Sequence, residues 1–431
     1  MSEPTSGPRP VVFDLTHLVS RLPKRPTSGI DRIDLAYATH FAGEGAVTPA
    51  LHYGLRRPHL IAPEEARKLV RLARSLWDSE DARRGGDAFR AVTDWLASSP
   101  PARAPRPPRR PARSDPAGAT TRRLHQYRGR ILDDRKGAIP ERAIYLNVAQ
   151  HVFEHRLFFR WLDARDDLCS VFMIHDLLPL DYPEYFSAAN LGVFRRRIAT
   201  AFRHADAFLV SSGAVKARLE RELREQGVPP RPIHVQPFPS PLPAGTRPSA
   251  PPRGHPYFLA LGTIEPRKNH LMLLHVWRRL IERDPDAPRL VIVGARGWEN
   301  EQVADILDRS AALEHHILEL SGLPSADLAD LIRGARALLA PSFDEGYGLP
   351  VVEALSLGAP VVASDIPVFR EVAQGRATFL GPLDGLAWAE AVERLSGDES
   401  YRAGRCAETL NFVAPTWPRY FTEVEGFLGS L

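Results

Sequence analysis

The chain has little cysteine, little lysine and no long apolar run. Its 431 residues include two cysteines, Cys169 and Cys406, which are too few for a disulfide framework or a cysteine-ligated zinc site. Five of the 56 basic residues are lysines, a bias that we ascribe mainly to coding preference. No stretch reaches the ~18 apolar residues of a membrane span, and the first residues lack the apolar core of a signal peptide. We therefore expect a cytoplasmic protein, at most peripheral on the inner face of the cell membrane.

An excess of one charge sign is also lacking. The 56 Lys and Arg residues against 52 Asp and Glu give a formal net charge of +4, which is small for this length. No recognition motif accompanies the arginines, so nucleic acid is not an expected partner. Apolar residues make up 44% of the chain, a share typical of globular proteins long enough for several cores.

Proline, in contrast, is abundant and clustered. Residues 98–121 read SSPPARAPRPPRRPARSDPAGATT, with almost no apolar side chain to bury, and predict a disordered or extended surface insertion. Two interpretations of this insertion stay open, namely an electrostatic contact with anionic lipid headgroups and a solvated loop of no consequence. Residues 229–256 hold eleven prolines and predict a linker between domains.

Strand and helix patterns alternate on both sides of this linker. In the second half, strands are expected at 257–261, 290–293, 317–320, 337–340 and 360–363, with helices at 269–283, 300–313, 325–335 and 350–357. In the first half, the patterns indicate strands at 11–15, 143–148, 170–174 and 207–211, helical residues at 62–97, and a helix capped by Ser212. The fold class predicted is α/β, with two Rossmann-like, doubly wound parallel-sheet domains facing a cleft.

The first stretch that indicates chemistry joins a strand to a helix at residues 261–269. Arg267 and Lys268 fall at the helix start, where the helix dipole disfavours cations by several tenths of a kcal/mol, roughly. Backbone N–H groups, a guanidinium fork and an ammonium together suit a phosphate or diphosphate. The alternative is that both side chains point to solvent.

The second such stretch, residues 340–353, leaves a strand and turns through Gly346 and Gly348 into a helix. The glycines let backbone amides approach a ligand, and the helix start favours negative charge. Glu345 is expected in the turn and Glu353 in the first helical turn. Two carboxylates beside an amide-rich anion site suit a sugar nucleotide, one for sugar hydroxyls and one for the ribose. For Glu353 alone, helix stabilisation is the competing interpretation.

These stretches resemble a known family. EPRKN at 265–269, VGARGW at 293–298 and PSFDEGYGLPVVEALSLGAPVVAS at 341–364 are similar to the retaining glycosyltransferases of family 4, which have the GT-B fold. The likeness covers nearly all of residues 255–385. It extends more loosely to FDLTHLVSR at 13–21, SGIDRIDLAYA at 28–38 and VFMIHDLLPLDYPEYF at 171–186, which resemble members from bacterial polysaccharide assembly.

The resemblance implies roles for individual residues. Arg267 and Lys268 would bind the donor diphosphate and stabilise the leaving nucleoside diphosphate. Glu345 would hold hydroxyls of the transferred sugar, Glu353 would hold the ribose, and His175 matches the active-site histidine beside the donor sugar.

The resemblance also implies a loop around the donor. Gly29 matches the flexible loop of the first domain, although the usual Gly-Gly pair is reduced to Ser28-Gly29. Asp344 and Tyr347 stand where other members carry an aromatic residue and phenylalanine. The backbone amides expected to contact sugar and phosphate are those of Gly346, Tyr347, Gly348 and Leu349.

The function implied is that of a retaining hexosyltransferase of surface or exopolysaccharide biosynthesis. It would move a sugar from a nucleotide sugar, with GDP-mannose favoured, to a glycan or polyprenyl-diphosphate-linked acceptor, with no cofactor and no metal required. The domains expected are an acceptor-side domain at 1–245, a nucleotide-sugar domain at 246–412 and a helix at 413–431 that crosses back to the first domain. The alternative is a catalytically inactive GT-B protein that binds carbohydrate or regulates.

Two short motifs compete with this interpretation. His151, Glu154 and His155 match H-x-x-E-H, a zinc-protease pattern, but no third ligand is apparent. Asp284 and Asp286 form a D-x-D of the kind used by metal-dependent transferases, yet they stand between a helix and a strand, where such residues form turns.

Overall fold

The computed structural model describes residues 9–22, 29–43, 47–52, 57–81, 86–98, 102–105, 138–242 and 254–431. These residues form two sheets of seven and six strands, each flanked by helices. The predicted pair of doubly wound α/β units is therefore confirmed.

The N-terminal sheet has the strand order β3-β2-β1-β4-β5-β6-β7, and β3 runs antiparallel to β2 while the other pairs are parallel. The central strands β4, β5 and β6 are buried at every residue, which explains why they are continuous apolar runs. The strands are β1 (Val11–Asp14), β2 (Thr48–Leu51), β3 (His59–Leu60), β4 (Ile144–Asn147), β5 (Cys169–Ile174), β6 (Ala207–Val210) and β7 (Ile233–Val235).

Of the two helical stretches predicted for this unit, one is confirmed and one needs a correction. The stretch expected to be helical at 62–97 is two helices, because Gly86 is the N-cap of a second helix. Ser212 caps α7 as predicted, with its Oγ accepting from Val215 N at 3.2 Å. The helices are α1 (Thr16–Arg21), α2 (Gly29–Gly43), α3 (Pro63–Asp81), α4 (Asp87–Ala97), α5 (Leu178–Asp181), α6 (Ala188–His204) and α7 (Gly213–Glu225). Of these, α1, α5 and α6 were not predicted.

The C-terminal sheet is parallel throughout and has the order β10-β9-β8-β11-β12-β13. Its strands are β8 (Tyr257–Leu261), β9 (Arg289–Val293), β10 (Ile317–Leu320), β11 (Leu338–Ala340), β12 (Val361–Ser364) and β13 (Thr378–Leu380). Its helices are α8 (His270–Arg283), α9 (Glu301–Arg309), α10 (Ser325–Gly334), α11 (Leu349–Ser356), α12 (Pro367–Val372), α13 (Gly385–Gly397) and α14 (Glu399–Thr409).

The proline-rich segment 229–256 is only in part a connection. Ile233–Val235 forms β7 beside β6, and Phe238 and Leu242 are buried at 4% and 5% exposure. The linker prediction is therefore wrong for this part. An edge strand bonds on one side only, so it tolerates neighbouring prolines that hide its pattern.

Two further segments connect the units. The last helix, α15 (Trp417–Gly429), packs on α2, where Tyr420 Oη and Tyr37 Oη lie 2.8 Å apart. Most of 98–121 lies outside the described residues, but within 102–105 the amide of Ala104 donates to Glu314 O at 2.7 Å. Across the described part of the chain, we find no helix long and apolar enough to cross a membrane.

Candidate active site

The turn after β8 carries the two cations predicted to bind an anion. Pro266–Lys268 forms a single 3-10 turn, and Asn269 follows in the left-handed conformation at φ 58°, which asparagine tolerates better than most residues. The Asn269 carboxamide donates to Pro341 O at 3.2 Å and to Pro382 O at 2.7 Å. Asn269 thereby holds Arg267 and Lys268 against the loop that follows β11.

Glu345 bridges the two cations. Its Oε2 lies 2.7 Å from Arg267 Nη1, and its Oε1 lies 2.5 Å from Lys268 Nζ. Ser342 Oγ donates to the same Oε1 at 2.7 Å. Burial alone would raise the pKa of Glu345, but Arg267 and Lys268 outweigh it and hold that pKa at about 2. The carboxylate is therefore ionised at neutral pH.

The cluster is neutral as a whole because Glu265 adds a second carboxylate, with Oε1 at 2.5 Å from Arg267 Nη2. Burial works against the charge of Arg267, yet Glu345, Glu265 and Asp176 raise its pKa above the usual range. Arg267 and Lys268 are 12% and 14% exposed, so the alternative in which both point to solvent is wrong. This cluster is a fixed set of opposite charges at the edge of the cleft.

The turn at 346–349 lies against the N-terminal unit. A Cβ on Gly346 would stand 2.5 Å from the backbone oxygen of His175, so that position has no room for a side chain. A Cβ on Gly29 would stand 2.7 Å from Leu349 Cδ1, the end of a side chain that can shift. Gly348 has φ 95°, in the region that favours glycine. Within the described residues, no protein acceptor is found for the N–H groups of residues 346–349. These amides can therefore donate to a ligand at the start of α11.

His175 follows β5 and contacts this turn through its carbonyl. Its Nε2 lies 2.8 Å from Val148 O, and because a carbonyl only accepts, Nε2 carries the proton. Burial lowers the pKa of His175 to about 4. The imidazole is therefore neutral at physiological pH.

Glu353 is placed differently from the prediction. It lies beyond the first turn of α11 and is 5% exposed, so stabilisation of the helix start does not explain it. Burial raises the pKa of Glu353 to about 6, and the charge of Arg32 opposes that rise. No hydrogen-bond partner for its carboxylate occurs among the residues with described positions.

Asp344 and Tyr347, the two residues that differ from the family pattern, both contact residues of the N-terminal unit. Asp344 pairs with Arg218 of α7. Tyr347 Oη donates to Phe238 O at 2.8 Å, and its ring contacts the Phe238 ring edge-on. Both polar groups are thus satisfied by partners across the cleft.

Comparison with known proteins gives a family match for the part of the chain that contains Arg267 and Lys268. Residues 255–398 match the sequence profile of the glycosyl transferases group 1 family. We call these residues the group 1 domain, after the family that they match. The family 4 resemblance found in the sequence is confirmed for this domain.

Relatives of the chain share this domain. A serotype-specific mannosyltransferase WbdA of Escherichia coli is 30% identical over 263 residues, which is 57% of this chain and 32% of that protein. O-antigen chain mannosyltransferase B of Escherichia coli is 36% identical over 146 residues, which is 34% of this chain and 38% of that protein. The matched segments thus span about a third of the length of these relatives.

The whole chain resembles solved GT-B structures. The sucrose-phosphate synthase of Thermosynechococcus elongatus superposes with a TM-score of 0.58 over 97% of this chain and 98% of that one, at 15% identity. At this identity the likeness establishes the fold alone.

The group 1 domain contains a small open pocket beside the charge cluster. Lys268, Glu345, Gly348 and Phe369 are among its lining residues, and so is His270, which the sequence did not indicate. Burial lowers the pKa of His270 to about 3, and its Nδ1 has no partner. A lone histidine at a helix start carries no sequence signal that separates it from a core residue.

Other residues of the site were also missed in the sequence. Ser342 Oγ donates to Glu345, Asp176 raises the pKa of Arg267, and the Asn269 carboxamide fixes the turn that carries the cations. Ser212 Oγ donates to Gly346 O at 3.0 Å. The αL tolerance of asparagine was a usable signal for Asn269, because that conformation ends a tight turn.

The competing metal motifs have other partners. Glu154 pairs with Arg197 at 2.9 Å, and His151 contacts the His17 ring. In the described ranges, no group of three or more His, Cys, Asp or Glu could hold a metal ion. Asp284 ends α8 and accepts from Asp286 N at 2.9 Å, which confirms the predicted turn.

Proposed function

We propose that this chain is a retaining glycosyltransferase that moves mannose from GDP-mannose to a glycan or lipid-linked oligosaccharide in surface or exopolysaccharide synthesis. The group 1 domain and the mannosyltransferases similar to it support this class of reaction. The observation that carries the proposal is the bridge from Arg267 through Glu345 to Lys268, beside unpartnered amides at 346–349.

The proposed chemistry uses charges already in place. A donor diphosphate would accept hydrogen bonds from Arg267, Lys268 and the free amides, and would share the two cations with Glu345. As the bond from the anomeric carbon to the phosphate oxygen breaks, these donors stabilise the negative charge that develops on the leaving diphosphate. Because two fixed cations supply that stabilisation, we propose that no metal and no cofactor are required.

The two carboxylates take separate tasks in this proposal. Glu345, ionised and held by the cations, would accept from hydroxyls of the transferred sugar. Glu353, buried in α11, would accept from the ribose diol, and neutral His175 lies on the opposite side of the Gly346 turn. Gly29 would bring α2 against the donor at Leu349.

A thermal-shift panel of GDP, UDP, dTDP and ADP in chelator tests the donor. A ligand at a hundred times its Kd adds about 2.7 kcal/mol of stability, so we expect one clear response, to GDP. We then expect turnover of GDP-mannose in chelator, and a loss of at least about 100-fold in Lys268→Ala and in Glu345→Ala.

Lys216→Ala is the matched control, because Lys216 is an exposed lysine on α7 whose ion partner is Glu220. Near-normal turnover in both site variants would overturn the roles. Nucleotide binding without turnover would instead favour the inactive, carbohydrate-binding alternative, and turnover that requires added metal would contradict the metal-independent mechanism.

For the acceptor, we propose a polyprenyl-diphosphate-linked sugar reached from the cytoplasmic face, with the chain peripheral on the membrane. The arginines of 98–121 would attract anionic headgroups by about 1 kcal/mol each near the surface. We expect the protein to cosediment at low salt with phosphatidylglycerol vesicles but not with phosphatidylcholine vesicles. A variant with glutamine at Arg106, Arg109, Arg110 and Arg113 should lose this binding, and wild-type protein that stays in solution would refute the proposal.

A further inference from the structure

Polar residues that the proposed function does not use cluster at the carboxyl ends of β1 and β4. Asp14 ends β1 and accepts from Thr16 N at 2.8 Å, Tyr145 Oη at 2.5 Å and Asn147 Nδ2 at 3.0 Å. Asp14 is 5% exposed, so these bonds form inside the protein. They fix the chain at the point where His17 follows.

His17 is held by a carboxylate from α2. Its Nδ1 lies 2.9 Å from Asp34 Oδ2, and Asp34 is 1% exposed. Burial raises the pKa of Asp34, and the hydrogen bond from His17 opposes that rise. When Asp34 is ionised it only accepts, so Nδ1 carries the proton and Nε2 keeps its lone pair. The other oxygen, Asp34 Oδ1, is buried with no partner among the described residues. Among the described residues, the Asp34 carboxylate therefore hydrogen-bonds through one oxygen only, to His17 Nδ1.

The Nε2 of His17 has no hydrogen-bond partner in the described part of the chain. The nearest charged atom is Asp31 Oδ1 at 3.8 Å, and that carboxylate is engaged by Arg21 at 2.8 Å and 3.0 Å. The His151 ring stands edge-on to His17 at 5.7 Å between centroids. His17 is 15% exposed, so a ligand in the cleft can reach Nε2.

The helix that carries Asp34 begins beside the glycine turn of the group 1 domain. The helix α2, which carries Asp34, begins at Gly29 against Leu349. The strand β4 separates β1 from β5, and β5 leads to His175, whose carbonyl touches Gly346. His17 follows the carboxyl end of β1, and doubly wound parallel sheets bind their ligands at that edge.

We propose that His17, oriented by Asp34, takes the proton of the attacking hydroxyl at its Nε2. This inference rests on the proposed function. The hydroxyl oxygen forms a bond to the anomeric carbon, the bond from that carbon to the phosphate oxygen breaks, and its electron pair leaves with the nucleoside diphosphate. The proton moves to Nε2 and from there to bulk water. Water replaces the sugar hydroxyl when no acceptor is present.

The neighbouring histidines are less suited to this task. His175 donates from Nε2 to a backbone carbonyl, and with its pKa at about 4 it is a weak base at neutral pH. His151 has no carboxylate within hydrogen-bond distance in the described residues, and burial lowers its pKa as well. Of these three neighbouring histidines, His17 is the one that combines a carboxylate at Nδ1 with an Nε2 that has no described partner, the arrangement that orients a histidine base in hydrolases.

The test is GDP release from GDP-mannose in the absence of acceptor, together with the thermal shift produced by GDP. His17→Asn keeps a donor at the position of Nδ1, so it retains the bond to Asp34 and removes only Nε2. We expect GDP release to fall about 100-fold or more, with the GDP shift unchanged. His17→Gly should recover part of the rate with added imidazole, which a structural role would not produce. Asp34→Asn, which loses the orienting carboxylate, should also slow release.

His275→Asn is the matched control, because His275 is exposed on α8. His17→Asn that releases GDP within threefold of the wild-type rate, or that loses the GDP shift, overturns the inference. If His17→Asn does not fold, His17→Gln takes its place with the same expectations. Wild-type protein that releases no GDP contradicts the proposed function, and the inference falls with it.

Discussion

Two glutamates eight residues apart carry opposite electrostatic perturbations. Glu345 is buried among cations, and its pKa is held at about 2, whereas burial without a partner raises the pKa of Glu353 to about 6. When the surroundings move the pKa values of two carboxyl groups apart in this way, the two groups are suited to different roles. Glu345 is already stabilised by the protein, while Glu353 is strained when ionised and gains most from a ligand that donates hydrogen bonds.

The strain on Glu353 predicts a pH-dependent gain in stability for Glu353→Gln. The folded pKa of about 6 lies above the ordinary value of 4.5, so the stability that Glu353 contributes is present below pH 4.5 and lost as the pH rises through 6. A neutral glutamine avoids that loss. At pH 8 we expect the variant to unfold with a free energy about 2 kcal/mol larger than wild type, with the gap closing toward pH 5.

Urea unfolding at pH 5, 6, 7 and 8 measures this gap. Glu390→Gln, an exposed glutamate on α13, should show no such pH trend. The same Glu353→Gln variant should respond less to GDP, because the ribose loses an ionised acceptor. A constant gap across the pH range, or none, would show that Glu353 is not strained in the folded protein.

At the residue scale, the sequence revealed side-chain types but not their partners. Arg267, Lys268, Glu345 and Glu353 lie in short motifs whose spacing relates them to strand ends and glycines. The bridge itself joins Lys268 to Glu345 across 77 positions, and no local pattern specifies that contact. The pairing of His17 with Asp34 was missed for the same reason, because it depends on how β1 and α2 pack.

Among the elements, α7 is the helix whose start is completed from the other unit. Its N–H groups at Gly213 and Ala214 donate to the Glu371 carboxylate of α12 at 2.8 Å and 3.2 Å. Ser212, predicted as its cap from the sequence, satisfies Val215 N. An anion at a helix start is favourable in the dipole field, so Glu371 stabilises the helix and links it to the group 1 domain.

Removing this cap should loosen α7. We expect Glu371→Ala to lower the free energy of unfolding by about 1 kcal/mol, as loss of an N-cap acceptor does, and to speed hydrogen exchange at Gly213 and Ala214. Glu371→Gln keeps an acceptor without the charge, so its effect should be smaller. Equal exchange rates in wild type and Glu371→Ala would mean that the contact does not stabilise the helix.

Element existence was more predictable than element ends. Strands β8 to β12 were predicted because each is a short apolar run between helices, whereas β13 was missed because its three residues are only partly buried. The break between α3 and α4 was missed although the sequence marks it, because residues 78–87 hold one apolar residue, Ala82, and two glycines, Gly85 and Gly86. β7 has three residues among prolines, too few for a periodic signal. The cap from Glu371 could not be predicted from the sequence, because it depends on how α12 of the group 1 domain packs against α7.

At the scale of the whole molecule, the two units share one hydrophobic cluster. Tyr37, Phe238, Tyr347 and Tyr420 belong to it, and they are 0%, 4%, 7% and 1% exposed. The Tyr420 ring stacks on Phe238 at 6.0 Å and stands edge-on to Tyr37 at 5.8 Å, while Tyr347 bonds to Phe238 O. α15 therefore returns the end of the chain to the N-terminal unit, where Tyr420 contacts the same Phe238 that Tyr347 of the group 1 domain contacts.

Because this cluster joins the units, Tyr420 should control whether they unfold together. We expect wild-type protein to unfold in one calorimetric transition, since the shared burial couples the two halves. Tyr420→Ala removes a side chain that is 1% exposed, so it should lower the free energy of unfolding by about 3–5 kcal/mol, as other buried aromatic truncations do. It should also separate the single transition into two. Tyr420→Phe removes only the hydroxyl paired with Tyr37 and should cost about 1 kcal/mol with the single transition kept.

Leu410→Ala supplies the control for this last experiment, because Leu410 is 83% exposed and its truncation removes apolar atoms outside the cluster. It should leave both the midpoint and the number of transitions unchanged. One transition at the wild-type temperature in Tyr420→Ala would show that the units are coupled elsewhere, through α4 and Arg289 or through Trp298, whose Nε1 donates to Tyr185 O at 2.8 Å. A split transition would instead mean that α15 is the element that keeps the donor cleft assembled.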